Sequence, residues 1–307
     1  MASVVGTFTI DPRARKAAKR RTRGEGATAW AFVSPSVLII LGLSVVPVLW
    51  SLLLSFQSND LVSPSEWVGL ANYKALAADP EFSSAVGHTL LYTVLYVPLS
   101  VVGGLAIALM LDRQIRFISL YRTLVFVPFV VSAAAQGVLF SFVLDPEFGA
   151  ANSVLHKLGL PAQGFFSDPG QALYLLVAIS LWSGTGFCVI VYLAGLQGVP
   201  NELVEAARID GAGRSGVLRH VVLPTLTPVT IFLVLFQTIN ALQVFDLVFV
   251  TTKGGPLGST TVIVYFIWEK AFKTFTAGYS AAAAYALAVA LLVIGLALQI
   301  YRRKAAR

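Results

Sequence analysis

The chain has 307 residues, of which 57% are hydrophobic and only 12% charged, and it carries a net charge of +7. That charged share is about half that of an ordinary soluble domain, too little to coat a water-soluble body of this length. One cysteine, Cys188, excludes an intrachain disulfide and reads as a small packing residue.

In chain order, the apolar residues gather into six runs long enough to cross about 30 Å of hydrocarbon at 1.5 Å per residue. They cover Ala31–Leu54, Leu90–Leu111, Leu120–Leu144, Ala172–Leu196, Thr227–Val250 and Tyr279–Tyr301. The first is too long and starts too far in to be a cleavable signal peptide, and Trp30, Trp50 and Phe56 flank it as an interfacial belt. Alternate segments hold 17 of the 22 Lys and Arg residues on one side and five on the other. The basic side is therefore expected to be cytoplasmic, with both termini there. The +7 charge then reports topology, and the basic tail 1–29 does not point to nucleic acid. The predicted class is an all-α integral membrane protein of six helices.

Prolines at 35, 47, 98, 128 and 228 fall inside the runs, where neighbouring helices can re-satisfy a broken backbone. His88, His156 and His220 sit at or outside span ends on different loops, which argues against a metal cluster. Two polar stripes stand out in the hydrocarbon. Ser180, Ser183, Gly184 and Phe187 in the fourth run, and Gln237, Asn240, Ala241 and Val244 in the fifth, recur at i, i+3, i+4 and i+7. Such groups either line a pathway or satisfy hydrogen bonds between helices. Asp246, beyond the second stripe, is expected near the outer face, hydrated or paired with Lys253.

The loop 198–224 between the fourth and fifth runs is the most informative segment. Pro200-Asn201 starts a short helix with Asn201 as N-cap and Glu202 in its first turn, and Asp210-Gly211 ends it. A second short helix from about Arg214 returns to the bilayer before Pro224. The product is a helix–turn–helix with small alanines beside Glu205, shaped to enter a partner's groove.

Glu205-Ala206-Ala207, Gly211 four residues on, then Val221 and Leu223-Pro224 resemble the EAA signature of binding-protein-dependent ABC importer permeases, with Val where Ile is usual. Val244-Phe245-Asp246-Leu247, the Thr252–Pro256 segment and Gly69-Leu-Ala-Asn-Tyr73 are similar to the carbohydrate-uptake branch, the maltose-F and glycerol-phosphate-A type of subunit. The resemblance implies an ABC transmembrane type-1 (MetI-like) fold. Residues 30–85 would hold the first helix and outer loop, 86–301 the permease domain, and 302–307 a cytoplasmic tail. It further implies that Glu205, Ala206, Ala207, Asp210, Gly211 and Arg214 couple to an ATPase. Partners would be a second permease subunit, two nucleotide-binding subunits and an extracytoplasmic solute-binding protein. The two polar stripes would match positions that meet a sugar.

No Gly-Lys-Ser/Thr phosphate loop is present, so ATP and Mg are expected on the partner ATPase and no cofactor in this chain. No Ser–His or Cys–His pairing falls at a common depth, which leaves a membrane enzyme without catalytic groups. An ion-coupled secondary transporter using Asp246 is the competing reading; it predicts inverted repeats, which are not evident, and leaves the 198–224 loop unexplained.

Overall fold

A computed structural model describes residues 30–60, 64–113 and 116–305. The basic tail expected at 1–29 lies outside the described residues. Trp30–Leu54 (α1) forms a unit of its own, and the chain from Ser55 onward forms a second. No residue in the α1 window is buried, although its mean hydropathy is 2.7. A helix this apolar along its length suits lipid rather than water.

The second unit opens with an outer hairpin, β1 (Gln57–Ser58) against β2 (Glu66–Trp67), antiparallel. It continues through α2 (Ala71–Ala78), α3 (Pro80–Leu111), α4 (Ile118–Val130), α5 (Ala133–Val143), α6 (Ala150–Lys157) and α7 (Ala172–Leu196). After these come α8 (Asn201–Ile209), α9 (Arg214–Val217), a π-turn at Leu218–Val222, α10 (Leu223–Leu242), α11 (Asp246–Val250), α12 (Ile263–Phe272) and α13 (Ala277–Ala305). The Asn72 amide donates to the Ser55 and Gln57 carbonyls at 2.9 Å each, and Tyr73 donates to Ser55 Oγ at 2.8 Å. The Gly69–Tyr73 motif is thus a clamp that fixes α2 on the outer hairpin.

The core is the packing of α3 along α7, with α4 and α10 against them and α11 against α5. Val97, Val101, Gly104, Ala108 and Leu111 make the buried stripe of α3, spaced at three and four residues. Gly104 is required there, because a Cβ would collide with Cys188 of α7. The starting cap of α3 is Asp79, which accepts from Glu81 N at 2.8 Å, with Pro80 at the first helical position. Tyr279 donates to Asp79 Oδ2 at 2.6 Å and ties this helix start to α13.

The run expected at Ala172–Leu196 forms a helix over those same residues. Three others differ. The second helix starts at Pro80, ten residues before Leu90, because the Asp79 cap extends it beyond the hydrocarbon. The third run is not one helix: α4 and α5 meet at 96°, broken at Val131–Ser132. The fifth is continuous from Arg214, with α9 and the π-turn leading into α10, where a separate short helix was expected. The π-turn sits two to six residues ahead of Pro224, and the π-turn Leu41–Val45 of α1 sits two to six ahead of Pro47. A widened turn moves the i−4 carbonyl away from the proline ring that would otherwise clash with it.

Candidate functional site

Five helices of the second unit converge on a cavity of about 350 Å³. Its walls are Tyr92 and Tyr96 of α3, the α4–α5 bend with Phe129, Val131, Ala133 and Gln136, the α7 residues Ser180, Ser183 and Gly184, and Phe236, Gln237, Asn240 and Ala241 of α10. The volume is at the low end of the range for small-molecule sites. Gly184 has 12 residues of α7 on each side, about 18 Å of helix in either direction, so the cavity lies at mid-span.

The bend in the third run makes one wall. Ser132 begins α5 by accepting from Ala135 N at 3.3 Å. A helix that stops inside a membrane leaves its last carbonyls without partners. Gln136 supplies them: its Nε2 donates to Pro128 O at 3.0 Å and Val131 O at 2.8 Å. The residue is 4% exposed, so a single buried amide staples the break from the inside.

Six of the eight expected stripe residues, Ser180, Ser183, Gly184, Gln237, Asn240 and Ala241, line this cavity. Tyr92 donates to Ser180 Oγ at 2.6 Å, and Gln237 Nε2 donates to Gly184 O at 3.4 Å and to Cys188 Sγ at 3.2 Å. These join α3 to α7 and α7 to α10, as the interhelical alternative required. Ser183 returns its proton to carbonyls of its own helix, and Asn240 donates to Phe236 O at 2.8 Å. A Cβ on Gly184 would collide with the Tyr96 hydroxyl, so this glycine admits the phenol to the α7 backbone.

Phe187 and Val244 stand outside the lining. Phe187 packs behind it, with ring centroids 4.7 Å from Phe236 and 5.3 Å from Phe129. Val244 lies beyond α10, which ends at Leu242, with Gln243 N–H closing on the Ile239 and Asn240 carbonyls. Trp182 faces away and meets Phe140 edge-on. Tyr92, Tyr96 and Gln136 were not singled out in the sequence. Gln136 carried a signal, as the one amide in its apolar run.

At the basic end of the spans, α8 ends in a closed turn. Gly211 N–H bonds Arg208 O at 3.0 Å, Ala212 N–H bonds Ala207 O at 2.9 Å, and Gly211 takes φ +87°. That is the left-handed glycine stop expected at Asp210-Gly211. The cap at the other end is Pro200, so Asn201 is the first helical residue and not the N-cap. Glu205, Ala206, Asp210, Gly211 and Arg214 are exposed and Ala207 half-buried. Leu203 and Ile209 are 52% and 86% exposed on the same nine-residue helix. Glu205 makes no ion pair or side-chain hydrogen bond among the described residues.

Asp246 is an exposed residue opening α11, and it makes no ion pair with Lys253 among the described residues. No group of three His, Cys, Asp or Glu suited to a metal occurs among the described residues.

Residues 100–307 match the family model described as binding-protein-dependent transport system inner membrane component. A probable ABC transporter permease protein of Pyrococcus horikoshii is 35% identical, covering 86% of this chain and 91% of that one. The lactose transport system permease protein LacF of Rhizobium radiobacter is 34% identical over 89% of this chain and 92% of its own. Among solved structures, a bacterial alginate ABC transporter in complex with an alginate pentasaccharide-bound periplasmic protein shares the fold. Its TM-score is 0.83 at 22% identity, covering 93% of this chain and 97% of that one. The chain belongs to the family of binding-protein-dependent transport system inner membrane components, multi-pass permeases of the cytoplasmic membrane that are not themselves enzymes.

Proposed function

We propose that this chain is one permease subunit of an ATP-driven importer for an uncharged sugar, delivered by an extracytoplasmic binding protein and moved by alternating access. The carrying observation is the mid-span cavity. Hydroxyls, amides and aromatic faces line it, and none of its residues is Asp, Glu, Lys, Arg or His. Amides and hydroxyls suit sugar hydroxyls, and phenyl or phenol rings suit the apolar face of a pyranose. An anionic solute would ask for the arginines or lysines that this lining lacks.

Coupling falls to α8. Its exposed Leu203 and Ile209 have the character of a docking face, and Glu205 is free to pair with a cation of the ATPase. Ala206 and Ala207 allow close approach, Gly211 sets the bend, and Asp210 and Arg214 flank it. ATP and Mg belong to two nucleotide-binding subunits, and a second permease completes the pathway. Inward- and outward-facing states must differ in affinity for the ATP-bound partners, since otherwise nothing drives the switch.

The test is uptake by the purified assembly in proteoliposomes, with its binding protein added outside. ATP-dependent uptake of neutral mono- or disaccharides, weakened by Gln237→Ala and Asn240→Ala, is the expected result. Uptake that runs on a proton or sodium gradient without ATP, and stops in Asp246→Asn, would replace the reading with a secondary transporter.

A further inference from the structure

A second cavity, of about 580 Å³, lies between the end of α3 and the base of the α8–α9 loop. Three arginines from three separate segments line it: Arg113, two residues beyond α3; Arg208, in the last turn of α8; and Arg214, opening α9. None of the three has a carboxylate partner among the described residues, although Asp112 and Asp210 are close in sequence. The two salt bridges there, Lys270–Glu81 and Lys273–Glu269, involve other residues. Three unpaired guanidinium groups around one space repel one another, and an anion between them reverses that sign.

The remaining wall decides what kind of anion. Leu109, Leu218 and Val222 supply apolar surface from α3 and from the π-turn entering α10, directly beside the arginines. A soluble anion has no use for such a wall, whereas an amphiphile matches both halves. Arg113 stands where α3 leaves its apolar span, on the side that holds 17 of the 22 basic residues, where anionic headgroups concentrate.

We infer that Arg113, Arg208 and Arg214 bind the phosphate of an anionic phospholipid of the inner leaflet, whose acyl chains run along Leu109, Leu218 and Val222. The lipid then bridges α3 to the loop that carries α8 and becomes part of the support of that loop.

Native mass spectrometry of the whole assembly, released from bilayers of phosphatidylglycerol and phosphatidylcholine, tests this directly. Wild-type protein should retain phosphatidylglycerol over phosphatidylcholine. Arg113→Gln and Arg208→Gln should each lower the retained fraction roughly fivefold. Arg219→Gln, which removes a charge from the same loop outside the cavity, should leave it unchanged. Inorganic phosphate in excess should not displace the lipid; complete displacement would make this a free-phosphate site and overturn the lipid assignment. Equal retention of both lipids, or equal losses in all three variants, overturns it as well. So does lipid retained by the permeases alone but absent from the full assembly, because a carboxylate of the ATPase would then occupy the arginines.

Discussion

Replacing Gly184 with alanine probes the cavity wall at its tightest point. The added Cβ collides with the Tyr96 hydroxyl and lies 3.1 Å from Cζ and 3.4 Å from Cε2 of the same ring. Relief requires either that α3 and α7 part or that the phenol swings into the cavity. Overpacking of this kind costs about 1–3 kcal/mol. Removing only the hydroxyl, in Tyr96→Phe, leaves the 3.1 Å ring contact, which is tight but tolerable after a small shift. Gly184→Ala should therefore cost less than about 1 kcal/mol in the Tyr96→Phe background, a coupling of roughly 1–2 kcal/mol between the two sites. Thermal unfolding of the purified assembly reads the first mode of relief, and ATP-driven uptake reads the second, since a phenol turned inward narrows the pathway. Either way the double variant should recover most of what the single variant lost. If Gly184→Ala is equally damaging with and without the hydroxyl in both assays, the close approach of Tyr96 is not what this glycine serves.

The remaining predictions address the bend, the proposed coupling loop and the cap at Asp79. Gln136→Leu removes both donors that hold the α4 carbonyls and should destabilise the assembly by about 1–3 kcal/mol, read as a lower Tm. A Tm equal to wild type would mean that the break satisfies itself. Glu205→Ala should insert and assemble normally but lose transport while ATP hydrolysis continues; wild-type uptake would remove α8 from the coupling path. Gly211→Leu meets open space but demands φ +87° of a branched side chain, at a cost of roughly 1–2 kcal/mol, and should uncouple in the same way. Partial burial pushes the Asp79 carboxyl up, yet hydrogen bonds from Tyr279, Glu81 N and Phe82 N and the Lys270 charge outweigh it, holding the group below its ordinary 3.8. A depressed folded value stabilises above the unfolded one, and that contribution is lost as pH falls below about 3.8. Asp79→Asn keeps the cap, and its Tm should lack the acid-side decline of the wild type attributable to this group.

The membrane spans were legible because hydrocarbon enforces long apolar runs, and Ala172–Leu196 could be read to the residue for that reason. The break at Ser132 was not, since Val130, Val131 and the alanines after it are as apolar as a continuous helix requires. Its signs were local and weak: a serine with N-cap geometry and one amide four residues later. The start of α3 was written in Asp79-Pro80-Glu81, a capping pattern that a search for hydrocarbon-length runs passes over. Six of the eight stripe residues share one cavity, whereas Phe187 packs behind its wall although its helix continues, and Val244 falls away because a period counted past Leu242 has no helix to act on. Tyr92 and Tyr96 drew no reading, because nothing local in the chain says that the Ser180 hydroxyl and the Gly184 backbone lie opposite them, 88 residues on. The Gly211 stop was legible in full, since a left-handed helix end depends on one residue and its nearest turn.

The chemistry of the cavity depends on how its amides are spent. Gln136 uses both hydrogens of its amide on the Pro128 and Val131 carbonyls, and Asn240 uses one on Phe236 O. Because a carbonyl only accepts, these bonds fix each amide's orientation, and the oxygens of Gln136 and Asn240 are the ends left without a donor among the described residues. Gln136 is among the residues that line the cavity. The bend that breaks the third span therefore does two things with one residue. It closes the α4 backbone with donors and, under the proposed function, leaves an acceptor for a solute in the cavity it lines. A polyol, rich in O–H donors, meets such oxygens favourably. A phosphate or carboxylate, which only accepts, meets them lone pair to lone pair with no cation in the lining to compensate. Under the proposed function, a preference for an uncharged solute would follow from the same hydrogen bonds that make a discontinuous helix tolerable at mid-membrane.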